Sequence, residues 1–307
     1  MNAEYAGRIP VKLSKEELIS LSQVKPWKAI FHIAMEWIAI IVMIAISIFV
    51  HNPFFYILAV AFIGARQHAL LILMHDGTHY RLFNNRKLND WVAELFLAWP
   101  CFTSAQFYRQ NHFPHHKYLN TADDPDMKRR MGDPAWVFPM TRTKLTKLLT
   151  FDFVGINTMA LVKLIFKLSS NADKPPLGFT LIRYSFYSIL FCMLYSLGLL
   201  EVFLLYWIVP LFTWLVMIMR IRSIAEHFSI PEKNSWIYAQ TRTTFAGIIS
   251  KIFLAPKNVN YHLEHHLYPS VPFYRLPELH KILMTKPEFA DAHFSKNYME
   301  VMREASV

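Results

Sequence analysis

Four long apolar runs, too continuous to leave a polar face, constrain what this chain can fold into. Ala29 to Val50 is 22 residues interrupted only by His32 and Glu36. After His51-Asn52-Pro53 comes Phe54 to Ala65, and Ala69 to Met74 extends it beyond Arg66-Gln67-His68. Phe179 to Leu200 is apolar except for Arg183 and scattered hydroxyls, and Val202 to Met219 follows past Glu201. At about 1.5 Å per residue, roughly 20 helical residues cross the ~30 Å hydrocarbon core of a bilayer. Four buried helices of a large soluble protein are the alternative, disfavoured because the paired runs leave no room for the polar face that most helices of soluble proteins present. The expected fold is an all-α integral membrane protein with four transmembrane helices in two hairpins. Cys101 and Cys192 are the only cysteines, so a disulfide-stapled secreted fold is out.

Basic residues outnumber acidic ones by 32 to 22, a formal charge of +10 that first suggests nucleic acid or an anionic membrane. Their placement favours the membrane. The corners His51–Pro53 and Gly198–Glu201 carry no Lys or Arg. Five lie in the tail ending at Lys28, fourteen between His75 and Lys174, and eleven from Arg220 onward. The positive-inside rule then puts both tails and the central segment in the cytoplasm. The expected organisation is a cytoplasmic tail (1–28), a first hairpin (29–74), a cytoplasmic segment (75–178), a second hairpin (179–222) and a cytoplasmic C-terminal segment (223–307). No nucleic-acid partner is expected. Leu88 to Phe102 reads as a buried or re-entrant helix. Leu145 to Leu168, with Lys147, Lys163 and Lys167, reads as an amphipathic helix along the interface. Pro269, Pro272 and Pro277 predict an extended cover and then a short helix over Tyr268 to His280.

Histidine spacing carries the chemistry. Of 14 histidines, eight fall in three boxes: His75-Asp-Gly-Thr-His79, His112-Phe-Pro-His115-His116 and His262-Leu-Glu-His265-His266. At this frequency one H-x2-H-H arises by chance in roughly 3% of such chains, so two are not accidental. Positions i, i+3 and i+4 share a helical face, and each box can aim two or three imidazoles at one point. Eight imidazoles exceed one tetrahedral zinc and fit two six-coordinate metals with positions left for oxygen. His227, five residues after Arg222, should reach the same layer. His32, His51, His68, His280 and His293 are expected to be ordinary core or surface residues. Asp76, Glu226, Glu264 and the run Asp123-Asp124-Pro-Asp126 are candidates to orient ligating imidazoles through their N–H groups. Trp91, Trp99, Phe102 and Trp136 are expected in core packing, with lining of an acyl tunnel as the alternative.

The boxes, their order and their placement around two hairpins resemble the membrane-bound fatty acid desaturase and hydroxylase superfamily. The likeness runs from the first hairpin through Asn260-Tyr-His-Leu-Glu-His-His-Leu-Tyr-Pro to Pro272-Phe-Tyr-Arg-Leu-Pro-Glu-Leu-His280 and is most specific at the third box and at His112 to Asp126. It implies a cytoplasmic helical cap with a di-iron centre held by His75, His79, His112, His115, His116, His262, His265 and His266. His227 would be the extra histidine that members place after the last span. The resemblance also implies O2 as co-substrate and a fatty acyl substrate in the membrane lipid, linked to lipid, CoA or carrier protein. Reducing equivalents would come from a ferredoxin or cytochrome b5-type donor, expected to be separate because no soluble module fits the 28-residue tail. The expected location is a bacterial inner membrane, multi-pass, with both termini cytoplasmic. Desaturation is favoured because the pattern is nearer acyl-lipid desaturases than carotenoid hydroxylases. The same ligands would also serve an alkyl, lipid or carotenoid hydroxylase or a fatty acid decarboxylase. A histidine-rich metal transporter is the rival of another class, for which Glu36, Arg66 and His68 near the span ends are poor ligands. An intramembrane zinc protease is excluded by the lack of H-E-x-x-H.

Overall fold

Prolines and capping side chains divide the apolar runs into helices. In the computed structural model, which describes residues 11–159, 162, 175–230 and 240–307, helix α1 (Lys15–Leu21) starts with a capping box. Ser14 accepts from the Glu17 amide, and the Glu17 carboxylate accepts from the Ser14 amide. Pro26 sits in the first turn of α2 (Pro26–Val50), which ends at His51 in the left-handed region, φ 47°. The Asn52 side chain accepts from the amides of Phe54 and Phe55 and starts α3 (Pro53–Thr78). After a turn through Gly198, φ +64°, α8 (Leu177–Ser196) gives way to α9 (Leu200–Phe228). All four are long and apolar enough to cross a bilayer. Two run past their expected ends: α3 continues to Thr78 and holds His75, and α9 continues to Phe228 and holds His227.

The four long helices are buried unequally. Of its most apolar window, α3 has 72% buried inside the protein, against 22% for α2 and 6% for α8. Phe49, Ile189 and Tyr195 on the outward faces are left exposed, an arrangement that lipid covers and water does not. The chain is thus a membrane protein with α3 at its centre. Small residues let neighbours close on α3: a Cβ at Gly64 would lie 2.8 Å from Trp214 Cβ on α9. Gly64→Ala is expected to cost about 1–3 kcal/mol by overpacking. Gly178→Ala, with nothing within 4 Å of the added carbon, should cost nothing measurable. Thermal unfolding in detergent checks both.

The expected helix over Leu88 to Phe102 is present as α4 (Arg86–Val92), continued by a π segment (Ala93–Ala98) and a 3-10 turn (Trp99–Cys101). It packs on α3. Asn89 Nδ2 donates to Gly77 O at 2.7 Å, while its Oδ1 accepts from the Leu82 amide at 3.1 Å, tying down the chain after the first box. Trp99 is fully buried between Phe179 and Phe186, a packing role as anticipated. Beyond α5 (Ala105–Lys117) and α6 (Pro125–Arg130), the long interfacial helix expected over Leu145 to Leu168 is corrected. Helix α7 (Arg142–Phe153) stops there, and the chain turns at Gly155, φ +79°. The break is held by Asp152, which takes an ion pair from Arg220 of α9 and a 2.7 Å hydrogen bond from Asn157. Lys163 and Lys167 lie outside the described residues.

The C-terminal segment folds over the ends of α3 and α9. It contains α10 (Ile248–Phe253), α11 (His262–Leu267), α12 (Leu276–Leu283) and α13 (Tyr298–Glu304). Strands β1 (Thr243–Thr244) and β2 (Phe294–Ser295) pair in parallel. The short helix expected before His280 is present, but the extended cover expected ahead of it is instead a series of turns with a 3-10 turn at Phe273–Arg275. Leu263 and Leu267 of α11 are buried with Val11, Leu21, Val271, Leu276, Leu279 and Leu283, so α1 and α12 clamp the third box from behind.

Candidate metal centre

Each box lies on a helix, and helical geometry decides where its imidazoles point. His75 and His79 are one turn apart at the end of α3, His112 and His116 one turn apart on α5, and His262 and His266 one turn apart on α11. Successive residues diverge by about 100° around a helix. The adjacent pairs His115/His116 and His265/His266 therefore point to different sides. The structure shows the result as two neighbouring clusters. His75, His79, His112, His116 and His265 have ring nitrogens within 4.8 Å of one another, and so do His115, His227 and His266. His262 closes on the second cluster with His227 and Glu226. The rings of His116 and His266 stack at 4.3 Å where the clusters meet. All nine histidines singled out in the sequence are brought together; His51 is exposed far along α2, and His32, His68 and His293 are in none of these groups.

The nitrogen separations fit donors to a shared ion better than they fit a hydrogen-bond chain. Nε2–Nε2 distances are 2.8 Å for His79–His112, 2.9 Å for His112–His116 and 3.1 Å for His116–His265. In the second cluster they are 2.8 Å for His227–His262 and 3.0 Å for His262–His266. A neutral imidazole nitrogen has either one N–H or one lone pair, so His112, His116 and His262 cannot satisfy two such contacts each by hydrogen bonding. Two nitrogens bound at right angles to one ion at ~2.1 Å would lie ~3.0 Å apart. Imidazoles with one carboxylate are a donor set suited to iron, zinc or copper, so the residues present fit a pair of transition metals.

Burial sets the protonation state. His112, His262, His265 and His266 are each at most 7% exposed. Burial, with neighbouring imidazoles adding to it, drives their pKa values well below the usual 6.5. They are neutral at pH 7 with lone pairs ready. The sign follows from linkage: below 6.5 the unfolded chain takes up protons that the folded chain refuses, so stability falls as pH falls. Each such imidazole is worth about 1.4 kcal/mol per pH unit. Metal-stripped protein is expected to lose roughly 10 °C of its unfolding midpoint between pH 7 and pH 5; a flat midpoint would contradict the burial.

The carboxylates divide in a way that only packing reveals. Asp124 meets the expectation for an orienting group: both its oxygens lie 3.0 Å from His115 Nδ1, which leaves His115 Nε2 facing the cluster. Asp124 is fixed in turn by the amides of Asn120 and Asp126. Asp123 is exposed and pairs with Lys128. Asp76 and Glu264 are corrected. Asp76 accepts from the Phe273 amide at 2.9 Å and pins the C-terminal segment. Glu264 takes His280 Nδ1 at 2.5 Å and the Thr243 hydroxyl, bracing α11 rather than a boxed imidazole. Two neighbours went unnoticed in the sequence: Tyr108, whose ring stacks on His112 at 4.8 Å, and Arg222, which holds Glu226 and His68. Tyr108 precedes His112 by one turn, and that spacing was its only signal.

A bundle of membrane-length helices closed at one end by a buried, histidine-lined centre defines the class of protein. Comparison with known proteins agrees. Residues 25–298 match the family model described as fatty acid desaturase. Dihydrorhizobitoxine desaturase of Bradyrhizobium elkanii is 30% identical over 291 residues, covering 91% of this chain and 82% of that protein. The sphingolipid delta(4)-desaturase/C4-monooxygenase DES2 of mouse is 26% identical over 241 residues, and that of human 26% over 237. These two alignments cover 76% of the chain and 66% of each relative. The chain belongs to the fatty acid desaturase family and is an oxidoreductase of lipid metabolism.

Proposed function

We propose that this protein is an O2-dependent fatty acyl desaturase whose nine histidines hold two irons. The observation that carries the reading is the convergence of nine imidazoles into two adjoining clusters with nitrogen spacings of 2.8–3.1 Å. His75, His79, His112, His116 and His265 hold one ion; His115, His227, His262 and His266 hold the other. Two irons supply, when bound, the redox chemistry that breaking an unactivated C–H bond requires. The chain's own residues keep the ligands neutral by burial, fix the His115 ring through Asp124, and exclude bulk water from the centre. The overall balance takes two hydrogens from a –CH2–CH2– unit and consumes O2, two electrons and two protons, giving –CH=CH– and two waters.

The electrons come from a separate donor of ferredoxin or cytochrome b5 type. Basic residues flanking the spans support a cytoplasmic position for both termini and for the centre, in a bacterial inner membrane. The substrate is an acyl chain on a lipid, CoA or carrier protein. Hydroxylation is the second reading, because DES2 carries both desaturase and C4-monooxygenase in its name.

The protein loaded with ferrous iron, reduced and given acyl lipid and O2 is expected to hold about two irons per chain. Mass spectrometry should show a product lighter by two hydrogens. A product heavier by one oxygen selects the hydroxylase. Metal transport into vesicles with no change in lipid selects the transporter, and a chain that takes up no iron overturns the reading.

A further inference from the structure

The two clusters are unequal in imidazoles, five against four. Within the π segment that ends α9 (Ile224–Phe228), Glu226 precedes His227 and is only 8% exposed. Such π segments recur at functional sites because they re-aim neighbouring side chains. Arg222 holds Glu226 asymmetrically: its Nε and Nη2 both donate to Oε1, at 2.8 and 2.5 Å. Oε2 is turned to the imidazoles and lies 3.7 Å from His262 Nε2. That is too long for a hydrogen bond, yet it is within the ~4.2 Å that separates opposite ligands of one ion bound at ~2.1 Å. Arg222 is itself fixed, since its Nη1 lies 2.9 Å from Nε2 of His68, a fully buried residue of α3. A long carboxylate is thus locked with one oxygen on a guanidinium and the other facing a four-histidine cluster.

We infer that Glu226 is the fifth ligand of the second metal, and that Arg222 and His68 are positioning residues that present its Oε2. The inference rests on the two-metal reading above. Two divalent ions on neutral imidazoles alone would leave a buried charge of about +4, which one anionic ligand reduces. It also makes the two metals chemically different, one ligated only by nitrogen and the other by nitrogen and a carboxylate oxygen.

The test titrates metal-stripped full-length protein anaerobically with ferrous iron against a competing chelator, scoring iron per chain and 57Fe Mössbauer spectra. Wild type should take two irons with two distinct ferrous signals. E226Q, which keeps the shape and removes the charge, should retain one signal unchanged and bind the other iron roughly 100-fold more weakly. Adding E226Q to His262→Ala should cost little more, because both act on one ion, whereas adding it to His75→Ala should strip both. If E226Q does not fold, E226D carries the same test by withdrawing the carboxylate one methylene. Two irons bound with wild-type affinity and spectra in these variants overturn the assignment alone and leave Glu226 as an ion-pair partner of Arg222. A wild-type chain that never holds two irons overturns the two-metal reading and this inference with it.

Discussion

His265→Ala is expected to lower desaturation at least about 1,000-fold, roughly 4 kcal/mol of lost barrier reduction, and to cut bound iron to about one per chain. His265 is buried, its Nε2 lies 3.1 Å from that of His116, and its ring is 4.4 Å from that of His75. No other described side chain holds that corner of the first cluster. His51→Asn, at the exposed turn after α2 where φ is 47°, should leave both quantities unchanged, since Asn tolerates that conformation. Product mass spectrometry with metal analysis checks the pair, and wild-type turnover in His265→Ala would remove the assigned chemistry from this centre.

Glu36→Ala is expected to be the most destabilising substitution outside the centre. Glu36 is fully buried in α2, with Arg66 Nη1 of α3 at 3.1 Å and Lys257 Nζ at 2.5 Å. Lys257 also lies 3.2 Å from His32 Nδ1, and Arg66 donates to the Ile252 carbonyl, so the cluster ties both helices to the chain leading into the third box. Deleting the carboxylate leaves two buried cations uncompensated, which costs about 3–5 kcal/mol. The unfolding midpoint in detergent should drop by roughly 6 °C, and iron retention should fall with it because α11 loses its anchor. Lys128→Ala, which breaks the exposed pair with Asp123, is the control and should leave the midpoint within about a degree. An unchanged midpoint for Glu36→Ala would mean that water reaches the cluster.

Local signals in the sequence were the reliable ones. The apolar runs gave four membrane-length helices, because helix length in a bilayer is set by hydrocarbon thickness and backbone satisfaction rather than by partners. The boxes were legible because ligands one turn apart share a face whatever surrounds them. Long-range pairings were not. Asp76 is next to His75, yet it spends its oxygen on the Phe273 amide, 197 positions away. Glu264 stands between His262 and His265 but turns to His280 and Thr243. Asp124 was legible only as part of an acidic run, in which Asp123 and Asp126 gave equally good claims. Helix α7 stops at Phe153 because Asp152 is captured by Arg220 of α9, a partner that amphipathic periodicity does not register.

By itself, the sequence determined the donors and the helical faces that carry them: nine histidines, their one-turn spacings and the spans that bring the boxes to one end. Tertiary structure alone decided how those donors divide. His115 and His116 are consecutive, as are His265 and His266, yet each pair is split between the two clusters. Residues about 100° apart on a helix can serve one ion only if the helix points straight at it. Here α5 and α11 each lie between two clusters, and that position comes from the packing of α3, α9, α1 and α12 around them.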